Sequence, residues 1–183
     1  MSNLLGSFEV EKLNTFMNTL INRHCLKVNE KEYFFEEVEL YFNSIEHRDC
    51  SVIKRIQKAG EILFHSYGFD ICFDSNEVMY GGVLIRSLLK NGINKPINGP
   101  RNCLLEILNT HTENGLKIEL KLCDKNRDLK LLKSKRIKGI CKKDNKDEEF
   151  YRYVTMENKD YITKNGTYDY KKKTNNLVHI EVN

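Results

Sequence analysis

The chain has 183 residues, 40% of them hydrophobic, with nine Phe and nine Tyr, which is the length of one domain with apolar mass for one core. Thirty basic residues against 26 acidic ones leave a formal charge of +4, too small to mark a strongly basic nucleic-acid binder and selecting no partner by itself. No apolar run approaches the roughly 18 residues of a membrane-spanning helix, so no membrane partner is expected.

Residues 8–21 read as a helix, because Phe8, Leu13, Phe16, Met17, Leu20 and Ile21 recur at three- and four-residue steps; Ser7 is placed to cap it. Residues 33–42 (YFFEEVELYF) read as a strand. Strict alternation puts Phe34, Val38, Leu40 and Phe42 on one face and Tyr33, Phe35, Glu37, Glu39 and Tyr41 on the other. The second face sets two carboxylates among three rings: unremarkable on an exposed sheet, an acid site with stacking walls in a pocket.

Residues 62–73 read as two short strands around a turn at Ser66-Tyr67-Gly68, where Gly68 can supply a positive φ. Residues 80–88 follow as a strand with Arg86 inside an apolar run. An Arg there needs a partner, either a carboxylate in a salt bridge or a phosphate. Asn98-Gly99-Pro100 opens a helix over 100–108 with Cys103, Leu104, Ile107 and Leu108 on one side; its first N–H groups are a general anion site. Further on, 116–122 is amphipathic, 136–140 reads as a strand, and 150–163 as a hairpin turning at 157–160. Residues 164–183 form a Lys-, Asn- and Thr-rich tail with a short strand at 177–182. The six cysteines hold no C-x-x-C pair and fit no zinc module. Without an apolar leader, free thiols in a reducing, intracellular compartment (cytoplasm, nucleoid or nucleus) are expected.

Several stretches, in order, resemble the alkyladenine (3-methyladenine) DNA glycosylase family. Glu37-Val38-Glu39-Leu40-Tyr41 with His47 after it resembles the family's E-T-E-A-Y strand and following His. Tyr67-Gly68 with Cys72 and Asp74 resembles its Y-G turn and the strand leading to an Asn. Val83-Leu84-Ile85-Arg86-Ser87-Leu88 resembles V-L-L-R-A-L, and Asn98-Gly99-Pro100 its N-G-P segment. A fifth, weaker match lies at 136–140 and 150–163.

The resemblance implies an α+β fold over 1–163: a single compact domain with a curved, mostly antiparallel sheet flanked by helices, acting as a monomer without cofactor or metal. It implies base excision repair: double-stranded DNA with a damaged or modified base, the base flipped into a pocket, and its N-glycosidic bond hydrolysed. Position by position, Glu39 is the water-activating carboxylate. Tyr41 and Phe64 stack on the flipped base, and His47 contacts it or its sugar-phosphate from the pocket edge. Tyr67 is the wedge left in the duplex, and Arg86 organises the site and reaches a phosphate. Asp74 stands at the base-reading position where the family has Asn; an ionised carboxylate lacks the amide donor, so base preference is expected to differ. The family's Tyr at Phe64 and its T-P-R-N loop are replaced, and His65 has no family counterpart, which leaves it a surface histidine or a substitute pocket histidine. Two other readings stay open: a binding module on the same fold that holds a nucleobase, nucleotide or modified nucleic acid without cleavage, and an interface with another chain.

Overall fold

The computed structural model describes residues 10–45, 47–124, 126–134, 136, 151–158 and 178–180. Helix α1 (Val10–Arg23) opens them. The expected stripe buries Leu13, Met17, Leu20 and Ile21; Ser7 and Phe8 lie outside the described residues. The strands are β1 (His24–Val28), β2 (Lys31–Asn43), β3 (Ile62–His65), β4 (Gly68–Cys72), β5 (Tyr80–Lys90), β6 (Ile97–Asn98), β7 (Ile118–Leu122), β8 (Leu131–Ser134), β9 (Arg152–Thr155) and β10 (Val178–Ile180). Helix α2 (Pro100–Leu108) follows β6.

All ten strands join one sheet ordered β10-β8-β9-β2-β5-β4-β3, with β1 bridging β2 to β7 and β6 beside β5. Every pairing is antiparallel, and the sheet curls into a half-barrel. The α+β class and the antiparallel sheet are therefore as expected. Neither described helix is long and apolar enough to cross a membrane.

Strand β2 organises the sheet. Strand β5 runs along one edge of it from Tyr33 to Asn43, while the other edge is shared by β1, opposite 31–34, and β9, opposite 37–39. Between these two partners the register slips: Phe35 faces Leu88 and Glu37 faces Ser87, so Glu36 has no residue opposite it on β5. Such an extra residue inverts the alternation on one side of it. The face assignment drawn from strict period two is therefore corrected. Tyr33 and Phe35 join Val38, Leu40 and Phe42 in the apolar core, whereas Phe34 lies under the Arg127 guanidinium, 4.9 Å away. Glu37, Glu39 and Tyr41 stay together but lose the two flanking rings.

The core continues through Val83, Ile85 and Leu88 on β5, Phe69 and Ile71 on β4, and Cys103 and Ile107 on α2. Leu108, expected on the buried side of α2, is 44% exposed. The amphipathic stretch at 116–122 is the edge strand β7. The strand expected at 136–140 falls, apart from Arg136, outside the described residues, and the strand present nearby is β8. Of the hairpin expected over 150–163, β9 forms the first arm, and a single helical turn at 156–158 follows it; 159–163 lie outside the described residues. In the tail, β10 pairs with β8. Cys25, Cys72, Cys103 and Cys123 are free thiols, but Cys50 is disulfide-bonded, against the expectation of free thiols.

Two glycines let the central strands close up. A Cβ at Gly81 would lie 2.4 Å from the Tyr41 carbonyl oxygen, and one at Gly82 would lie 2.7 Å from that of Ile71. Both obstacles are backbone and cannot swing away. Gly81→Ala is thus expected to destabilise the fold by about 1–3 kcal/mol, the cost of overpacking, seen as a lower urea midpoint. An unchanged midpoint would contradict the close approach.

Candidate functional site

The residues that alternate with the core on β2, β4 and β5 face a cleft of about 760 Å³. Tyr41, Leu84 and Arg86 form its floor; Asp70 with the β3–β4 turn at 65–67 forms one wall, Ser51, Ile53 and Arg55 a second, and the α2 start at 99–102 a third.

Beneath the floor runs a line of buried charge. Arg152 Nε donates to Glu37 Oε1 at 2.6 Å, and Arg86 Nε donates to the same oxygen at 2.9 Å. Arg86 Nη1 then reaches Glu39 Oε2 at 3.2 Å, and the Tyr41 hydroxyl donates to that oxygen at 3.0 Å. Among the described residues two arginines stand against two carboxylates in this line. Burial alone would raise the Glu37 carboxyl, but the Arg152 and Arg86 guanidiniums more than offset it and hold the group below its ordinary range. Burial and the Glu39 charge push the Tyr41 phenol far up, so it remains a donor. Its ring is also covered by the Arg136 guanidinium, 4.2 Å from its centroid. Arg136 is buried and pairs with Asp49 at 2.8 Å.

The wall carries a second buried group. Arg55 Nη1 meets Asp70 Oδ2 at 2.7 Å, and His65 Nε2 lies 3.1 Å from Asp70 Oδ1. Gly82 makes room for it, since a Cβ there would stand 2.8 Å from Arg55 Nη1. Gly68 has the positive φ expected of it, 158°, and a second use besides. It begins β4 against the helix start, where an added Cβ would lie 2.9 Å from Pro100 Cβ.

The structure brings together only part of the expected site. Tyr41 and Arg86 line the cleft, and Tyr67 stands at its mouth, 60% exposed. Arg86 has its partners in Glu37 and Glu39, the salt-bridge alternative. Glu39 lies under the floor at 0% exposure and meets the cleft through Tyr41 and Arg86. Phe64 is not brought in: it faces Phe69 across the hairpin, its ring 6.1 Å from the Phe69 ring, and lies exposed on the surface outside the cleft lining. Its neighbour His65 lines the cleft. His47 is buried, stacked on Phe42 at 5.9 Å and edge-on to Tyr151 at 5.6 Å, and does not line the cleft. The loop folds it inward through Ser44 N–H to His47 O at 2.7 Å and Asp49 N–H to Asn43 Oδ1 at 3.1 Å. Asp74 is a half-exposed surface residue 3.8 Å from Lys58 Nζ and is likewise outside the cleft.

Asp70, Arg55 and Arg136 are the residues at or against the cleft that sequence reading passed over. Asp70 had a signal, being the one polar residue in the buried strand GFDIC. Arg55 and Arg136 had none, since both sit in polar stretches where a cation is ordinary.

Two expected outcomes follow from the buried charge. Arg86→Met should cost about 3–5 kcal/mol, the cost of leaving a buried carboxylate without its partner, read from chemical unfolding. Glu37 is depressed in the folded state, so its stabilisation is full above about 4.5, its ordinary value, and is lost as pH falls through the folded value. Stability should therefore drop more steeply below that point in the wild type than in Glu37→Gln, measured by melting temperature against pH. Compared with family models, curated proteins and solved structures, the chain matches none.

Proposed function

We propose that the cleft receives a modified purine turned out of double-stranded DNA and that the chain is a monomeric, monofunctional DNA glycosylase, working where the DNA is, in the cytoplasm, nucleoid or nucleus. The observation that carries this reading is the grouping of Tyr41, Arg86 and the Glu39 carboxylate at the floor of a cleft whose mouth bears an exposed tyrosine. An everted base stacks on the open side of Tyr41, because Arg136 covers the other. Tyr67 enters the gap in the duplex. Water attacks C1′ as the glycosidic bond breaks, its electron pair leaves on the base, and Glu39 takes the proton from water. The cations at the cleft are mostly spent on carboxylates: Arg86 on Glu37 and Glu39, and Arg55 on Asp70. The interior thus suits a neutral, planar, polar group better than a phosphate, while Arg101 lies exposed at the rim for the DNA backbone.

One observation favours a second reading. Glu39 is 0% exposed, and a base that activates water must touch it. If the carboxylate serves only to hold Arg86 and Tyr41, the same cleft binds a nucleobase, a nucleotide or modified nucleic acid without cleaving it.

Base release from duplexes carrying alkylated, deaminated and otherwise modified purines separates the two. Excision by the wild type and a loss of about 100-fold or more in Glu39→Gln, the usual contribution of a general base, supports the glycosylase. Excision retained in full by Glu39→Gln removes Glu39 from the chemistry. Binding of an everted base with no release from any duplex establishes the second reading instead.

A further inference from the structure

The wall group of the cleft extends further than an ion pair. Asp70 uses Oδ2 for Arg55 at 2.7 Å and Oδ1 for His65 Nε2 at 3.1 Å. An ionised carboxylate only accepts, so Nε2 carries the proton of the neutral ring and Nδ1 keeps its lone pair. The Tyr67 backbone N–H donates to that lone pair at 3.3 Å. The Arg55 and Asp70 side chains are 1% and 4% exposed, and that of His65 is 13% exposed, so the line is shielded from water almost to its end. It starts in the loop at 53–55, where the Ile53 carbonyl fixes Arg55 Nε at 2.9 Å. It ends on the backbone of the residue whose ring stands at the mouth.

We infer that His65 is the positioning residue of this cleft: in its neutral form it holds the Tyr67 amide and thereby fixes the Tyr67 ring at the mouth. The use of that ring as a wedge rests on the glycosylase reading; the bond that fixes it does not. A second proton on the imidazole goes to Nδ1. An N–H cannot accept, so the Tyr67 bond is lost, while the Asp70 contact survives as an ion pair. The tip therefore has this hold at higher pH and loses it when the imidazole takes its second proton. The charged groups that line the cleft with it are Asp70 on β4, Arg55 in the loop, Arg86 on β5 and Arg101 at the α2 start, and Arg55 and Arg86 are each paired with carboxylates. Tyr41 on β2 is uncharged in this range.

The chain contains no Trp, so Tyr67→Trp creates a single fluorescent reporter at the tip and leaves the backbone N–H in place. Its anisotropy is followed from about pH 8 to about pH 5, the range in which histidines change charge, with no nucleic acid present. Anisotropy should fall on acidification in one single-proton step. Combined with His65→Asn, whose amide oxygen stands near the Nδ1 position but does not titrate, it should show no step. Combined with His65→Phe, it should stay at the low value throughout. A reporter that ignores pH while His65 is present overturns the inference, and so does a step that persists in His65→Phe. The first comparison needs only the reporter chain and does not depend on either His65 variant folding. In parallel, His65→Phe on the natural Tyr67 background should weaken binding to a duplex with an abasic-site analogue by about fivefold, the scale of one hydrogen bond. A responding reporter with unchanged DNA affinity would keep the positioning role and overturn the DNA-wedge reading of Tyr67.

Discussion

Glu37 and Glu39 are two carboxylates, two positions apart on one strand and buried to 2% and 0% exposure, and the architecture around the cleft answers the problem they pose. Each ion loses several kcal/mol of hydration on burial, and their mutual repulsion adds to it in a medium that screens poorly. Arg86 has to stand between them, which places a cation inside an otherwise apolar β5. Arg152 has to reach Glu37 from the far side, which fixes β9 against β2 at 37–39. Against an apolar core of the same volume, such a network gives little or no net stability. Its retention in this strand is better understood as the means by which the Tyr41 hydroxyl and the Arg86 guanidinium are held still at the floor of the cleft.

How far the sequence foretold this depends on whether a feature belongs to one segment or to a pair. The apolar stripe of α1, the long β2, the β3–β4 hairpin, β5 and α2 each carry their own periodicity or punctuation, and each lies where its residues indicate. The bulge at Glu36 does not. Both faces of YFFEEVELYF bear aromatics, so alternation in either phase looks acceptable, and only the register against β5 reveals the extra residue. The same holds for β8, whose LLKS has two apolar side chains and is a strand because β9 and β10 pair with it.

The site divides along the same line. Glu39, Tyr41 and Arg86 were legible because a carboxylate, a phenol and a guanidinium at those strand positions need one another. Phe64 does not line the cleft: beside Phe69 on the hairpin it stays exposed, and its neighbour His65 lines the cleft instead. His47 was assigned to the pocket edge by its place after the strand, but the loop turns it onto Phe42. Arg55 and Arg136 become visible as site residues only when Asp70 and Asp49, distant in sequence, are seen beside them.

The ion pair between Arg152 and Glu37 joins residues 115 apart in the chain, and this bears on the order in which the protein is made. A ribosome releases β1 through β7 well before it reaches residue 152. Until then β2 lacks the strand that covers its edge at 37–39, and of the two guanidiniums described on Glu37 only that of Arg86 has been made. Burying Glu37 costs more at that stage than it does once Arg152 stands beside it. The pair is completed only once residue 152 is in place, and folding of this half-barrel draws on long-range pairing, the slow class of topology. The residue that completes the described ion pairs on Glu37 is thus also one of the later ones to be made.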